Sequence, residues 1–206
     1  GIRRGFGPAR LGMGLEHVLT WLQVPNTLDT TVTVVQRIGQ VVGILACARI
    51  AWRLLSDDGA RQLAFSAAVL HDLGRVLLAA RAPEYLAAAL ERARRDNLAL
   101  HVAEYAVHGF SHAEVGAYLL ALWGVPTAII EAVAHHHRPS RSQESLFGPI
   151  GALHVADRLS HGPQLLAAGV SEQSHAAAID TAYLERVGVC ERVDVWREMV
   201  AREFSS

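Results

Sequence analysis

Apolar residues recur at helical spacing through short segments that end, one after another, on helix-breaking residues. Val34, Ile38, Val41, Val42, Leu45, Trp52 and Leu55 keep to one such spacing, and "SDDG" (56–59) stops it. A chain patterned in this way is confined to packed helices. The expected fold class is all-α, a single helical domain. Composition supports the choice, because Ala, Leu and Val are abundant while only 6% of residues are aromatic, which suits helix packing better than half-buried strands. "TTVTVV" (30–35) by itself would pass for a strand, so the first helix is expected from about residue 34.

Further along, "ARQLAFSAAVLHDLG" (60–74) reads as a helix with His71 and Asp72 near its end. Pro83 fits the first turn of "PEYLAAALERARRD", where a missing N–H costs nothing. "ERARRD" (91–96) reads as that helix's solvated face. "SHAEVGAYLLALWG" (111–124) opens with Ser111 and Glu114 in capping-box spacing, which places His112 in the first turn. "VPTAIIEAVAHHH" (125–137) follows, closed by Pro139, and a further helix over 147–162 carries Asp157. Residues 177–204 suggest two short amphipathic helices around Gly188.

The formal charge of -1 gives no global field toward phosphate backbones or anionic lipid, so neither nucleic acid nor membrane is an expected partner. Cys47 and Cys190 lack any framework spacing, which argues against a thiolate zinc site and a disulfide scaffold. "VVGILACARIAWRLL" (41–55) is interrupted by Arg49 and Arg53 before reaching the roughly 18 apolar residues of a span, so it reads as a buried helix. No secretory signal pattern is recognised at the N-terminus, and a reducing cytoplasm is the expected compartment.

The chemistry-bearing residues are scattered: His71 with Asp72, then His112, the run His135, His136 and His137, and Asp157. Imidazole and carboxylate donors without thiolate suit iron, manganese or another divalent ion. Adjacent helical residues point about 100° apart, so His71 and Asp72 share one site only if a helix end turns them around it. The alternative is that they are hydrogen-bonded structural polars and that the triple histidine is an exposed helix end.

"LHDLG" resembles the signature of the HD superfamily of metal-dependent phosphohydrolases. "SHAEVGAYLLALWGVP", "EAVAHHHRP" and "VADRLS" follow in the order of its HDOD branch, the HD-related output modules of bacterial signalling proteins. The resemblance covers residues 60 to about 204 and is carried by 65–78 and 111–139. It implies an HD-like helical core over 60–206 behind an N-terminal helical segment, 1–59, that could belong to the same domain. It also implies that His71, Asp72, His112, His136, His137 and Asp157 match metal ligands of the HD-GYP enzymes.

Four departures bear on chemistry. Gln40 stands where the resemblance expects a first histidine, and Arg75 where it expects a lysine. Arg138 replaces a glutamate, and "SRSQES" (140–145) replaces the Gly-Tyr-Pro loop. The expectation is therefore a non-catalytic module acting on a protein partner or an adjacent signalling domain, with no catalytic residue and with a divalent metal either bound or lost. The alternative is a metal-dependent phosphohydrolase for a nucleotide or cyclic dinucleotide, in which Asp72 and Arg75 would take part in the reaction. His71, Asp72, Asp157 and His136 are expected to face one polar cleft.

Overall fold

The structure is a computed structural model that describes residues 30–167 and 179–204, with side chains over 41–160 and 179–202. The chain divides into two compact units, 1–39 and 40–206. Of the first, only the helical residues 30–39 are described; the expected N-terminal segment before residue 30, and the side chain of Gln40, lie outside the described residues. Everything below concerns the second unit.

Every regular element among the described residues is helical. Helix α1 spans Thr30–Leu54, α2 Asp58–Leu70, α3 Leu73–Arg81, α4 Pro83–Asp96 and α5 Leu100–His108. Then come α6 His112–Leu122, α7 Thr127–His135, α8 Pro149–Ala167, α9 Thr181–Arg186 and α10 Val193–Phe204. Among the described residues the first helix begins at Thr30 and not near residue 34. The β-branched run costs only tenths of a kcal/mol per residue in a helix, too little to hold it out of an element that continues for many turns.

Local chemistry sets most boundaries. Asp57 caps α2 by accepting the Ala60 N–H at 2.8 Å. Pro83 occupies the first turn of α4. The Ser111–Glu114 capping box opens α6, with the Ser111 N–H donating to Glu114 at 2.8 Å. Gly124 and Gly188 supply the left-handed backbone that ends α6 and α9, at φ of 71° and 72°. Arg95 pairs with Asp96 at 2.9 Å on the exposed side of α4, as expected of a solvated face.

Small side chains let the helices approach closely. Ala64, Ala67 and Ala68 of α2 are fully buried against α7 and α8, and Cys47, Ala48 and Ala51 of α1 join the same core. Tyr183 and Leu184 of α9 and Trp196 of α10 close it from the C-terminal side. The apolar run 41–55 therefore buries one face in protein while Val41, Val42 and Leu45 remain outside. Residues 58–81 are long and apolar enough by composition to cross a membrane, but a turn at His71 and Asp72 divides them into α2 and α3. At that break α3 packs on α6, where Gly74 meets Gly116 backbone to backbone.

Candidate metal centre

The turn between α2 and α3 resolves the angular problem posed by adjacent donors. The two side chains leave a helix end, where Asp72 takes φ -94° and ψ 8°, and not a helix wall. His71 Nε2 and Asp72 Oδ2 consequently lie 3.8 Å apart on one side of the turn. The N-terminus of α6 brings His112, whose Nε2 is 3.4 Å from Asp72 Oδ1. The C-terminal end of α7 brings His136 and His137, and the middle of α8 brings Asp157, 3.6 Å from His71 Nε2. All six residues singled out from the sequence meet in one cluster, while His135 ends α7 and contributes no donor to it.

Hydrogen bonds fix which nitrogen each imidazole turns inward. A carbonyl oxygen only accepts, so His71 Nδ1–H donates to Ala68 at 2.7 Å and His136 Nδ1–H donates to Val133 at 2.6 Å. Their Nε2 atoms are left as lone-pair donors. His136 is fully buried, and its Nε2 has no hydrogen-bond partner among the described residues. Leaving such an atom unsatisfied costs on the order of 1–3 kcal/mol, and its inward lone pair is compatible with a cation at this place in the cluster. Ligand atoms of His71, Asp72 and His136 lie within 4.8 Å of one another, as do those of His112, His136 and His137.

The electrostatics of the cluster favour an ionised Asp72 and neutral His136 and His137. Burial works against the Asp72 carboxylate, but Arg75, His71 and His112 together outweigh it and hold its pKa at about 2. Arg75 Nη1 sits 2.6 Å from Asp72 Oδ2. Burial, and then the charge of His71, pushes His136 well below the usual histidine range. Burial and the neighbouring histidines do the same to His137. Neutral imidazole is the form that can donate a lone pair.

Several residues in the site were passed over in the sequence. Glu104 of α5 is buried and accepts both the backbone N–H of His112 at 3.0 Å and its Nδ1–H at 2.6 Å. His101, one turn earlier, stacks on His137 with centroids 4.1 Å apart, and burial with the nearby Arg158 lowers its pKa to about 3. His154 of α8 spends both nitrogens structurally, donating to the His136 carbonyl and accepting from the Asp180 N–H. The available signal was the i, i+3 spacing of His101 and Glu104 in an otherwise apolar helix.

On the His137 side of the cluster, the basic residue in contact is not the one the sequence pointed to. Arg138, a positive charge where the resemblance expects a glutamate, stacks on Tyr105 at 4.2 Å. The guanidinium that touches the cluster there is that of Arg158, 2.9 Å from His137 Nδ1. On α1, Cys47 is buried within electrostatic reach of Asp157 and Asp72; burial, then those carboxylates, raises its thiol pKa.

The HDOD domain family matches residues 32–139 of the chain. An uncharacterized protein of Treponema pallidum (strain Nichols) is 32% identical over 76 residues, which are 37% of this chain and 15% of that protein. Among solved structures, a candidate phosphohydrolase from Shewanella amazonensis SB2B aligns with a TM-score of 0.58 at 19% identity, over 87% of this chain and 62% of that one. An HDOD domain protein with unknown function from Geobacter sulfurreducens aligns with a TM-score of 0.56 at 20% identity, over 80% and 57%. At these identities the likeness shows the fold. This chain spans less than two thirds of the length of each of the three.

Proposed function

The chain belongs to the HDOD domain family, and from that premise we propose that it is a non-catalytic regulatory module of a bacterial signalling protein. It works in the cytoplasm through contact with a protein partner or an adjacent signalling domain. The observation that carries this reading is the closure of the polar cluster. His71, His112, His136 and Asp157 are buried, and where the cluster nears solvent a guanidinium lies against it: Arg75 bonds the Asp72 carboxylate at 2.6 Å, and Arg158 bonds the partly exposed His137 at 2.9 Å. A phosphodiester would have to break one of those bonds and part packed helices to reach the inward Nε2 atoms.

The surface supports the same reading. Tyr118, Leu122 and Trp123, at the end of α6, are 69%, 65% and 62% exposed. The stretch 115–130 around them contains no charged residue. Contiguous apolar exposure of this kind is what a protein contact removes from water.

His71, Asp72 and His136 would hold one divalent cation, of the iron or manganese type, tying the α2–α3 turn to the end of α7. Bound there, the ion would offset the Asp72 charge and could supply Lewis-acid polarisation to a phosphate oxygen. The unpartnered Nε2 of His136 is therefore the observation that favours a second reading, a metal-dependent phosphohydrolase for a nucleotide or cyclic dinucleotide. In it, Asp72 would hold the ion and Arg75 would bind phosphate.

Turnover separates the two. Protein supplied with Mn²⁺ or Fe²⁺ is assayed on cyclic di-GMP and on a chromogenic phosphodiester, beside His71→Ala. Equal background in both proteins is expected; hydrolysis by the wild type that His71→Ala abolishes would overturn the non-catalytic reading.

A further inference from the structure

We propose that Arg158 is a built-in substitute for a second cation: it locks His137 in the Nε2–H tautomer and closes the His112, His136 and His137 donor set to metal. The inference deepens the reading above, in which the His71, Asp72 and His136 set holds one ion. It follows from the direction of three consecutive hydrogen bonds.

Arg158 Nη2 lies 2.9 Å from His137 Nδ1. A guanidinium has donors and no acceptor, and it stays protonated at any pH the fold survives. His137 Nδ1 must therefore be the acceptor, which puts the ring proton on Nε2. That proton points at His112 Nε2, 2.9 Å away. His112 can receive it, because its own ring proton is on Nδ1 and donates to the Glu104 carboxylate at 2.6 Å. The chain therefore runs in one direction, from Arg158 through His137 and His112 to Glu104. Each member satisfies the next, and two of the three Nε2 atoms in the second donor set, those of His137 and His112, are consumed.

A separation of 2.9 Å between two Nε2 atoms also suits two imidazoles on one ion with bonds of roughly 2.0–2.1 Å. That arrangement needs the lone pair on His137 Nε2 and the proton on Nδ1, where it would meet the Arg158 N–H head-on. The ion and the guanidinium exclude each other. Position favours the guanidinium, since the Arg158 side chain is only 13% exposed and its Nε stands 3.9 Å from Asp157 Oδ2, supplying positive charge beside that carboxylate. The second half of the site holds a cation already, and it is covalently part of the chain.

The test begins with metal-free, ¹⁵N-labelled protein, in which long-range ¹H–¹⁵N spectra report imidazole tautomers. His137 is expected as Nε2–H, and His112 and His136 as Nδ1–H; His137 found as Nδ1–H overturns the proposal without any variant. Zn²⁺ binding is then counted by equilibrium dialysis for the wild type and Arg158→Met, which keeps an apolar stem and loses the donors. A gain of one equivalent in the variant supports the proposal, and two equivalents on the wild type, or no gain in a folded variant, overturns it. A wild type that binds no Zn²⁺ refutes the single-ion reading instead, and a gain from none to one equivalent in Arg158→Met would still support closure by Arg158.

Discussion

Gly74→Ala tests how the fold holds the two halves of the site together. A Cβ at residue 74 would stand 1.9 Å from the carbonyl oxygen of His112 and 2.7 Å from the amide nitrogen of Gly116. Ordinary carbon–oxygen contacts lie near 3.3 Å, so α3 would have to retreat from α6 by more than about 1 Å. Both obstructing atoms are backbone, and no side chain can rotate away. A gap of that size forfeits a quarter to a half of each dispersion contact along the crossing. It also draws Asp72 away from His112, now 3.4 Å apart. The helix-propensity gain from Gly to Ala is only about 1 kcal/mol, so the steric loss wins, and the expected destabilisation is about 4 kcal/mol, at the severe end for one substitution. Gly116→Ala is the internal control. Its Cβ would meet Gly74 N at 3.1 Å and Val133 Cγ1 at 3.6 Å, a shift of tenths of an ångström that the propensity gain offsets. Urea denaturation with a common m-value reads both. If Gly74→Ala lies within about 1 kcal/mol of wild type, the crossing is not as tight as described and the reasoning is wrong.

Three other outcomes are expected. Glu104→Ala leaves the His112 N–H and Nδ1–H buried without an acceptor and should cost about 2–4 kcal/mol in urea unfolding, with Glu104→Gln recovering part; equal stability of Ala and wild type would deny Glu104 its role. Acidification of chelator-treated protein should lower stability, because burial depresses folded-state pKa values, from 6.5 to about 4 for His154 and to about 3 for His101. The unfolded chain takes up these protons first, so the stabilisation is complete above the unfolded value of 6.5 and falls as the pH drops through it toward the folded values, His154 alone accounting for about 3 kcal/mol. A flat stability profile across that window, followed by thermal or urea unfolding, would contradict it. Elemental mass spectrometry should find close to one divalent metal per wild-type chain and none in Asp72→Ala; retention of metal by the variant would place the ion elsewhere.

Much of the architecture was readable from local chemistry. Capping residues, Pro83, Pro126 and the left-handed glycines act within a turn of themselves, so Ser111 with Glu114 announced α6 and Gly124 its end. The HD pair announced a polar site because such residues are costly in an apolar segment unless something satisfies them. The same sequence concealed α5, whose nine residues lie between stronger signals, and it concealed α3, which starts at Leu73 directly after the helix end expected near His71 and Asp72.

What the sequence by itself determined was a chain of helices, because periodicity, caps and breakers depend on neighbours a few residues away, while the resemblance of its motifs supplied six candidate donors. Only the tertiary structure decided how those donors are used. His137 receives Arg158 from 21 residues downstream and faces His112 from 25 residues upstream, and the proton's place on each ring follows from those contacts. Arg138 and Arg158 carry the same charge in the sequence, but one lies over Tyr105 and the other bonds the cluster. Hydrogen-bond direction is a property of packed neighbours, and it becomes fixed only when α5, α6, α7 and α8 meet.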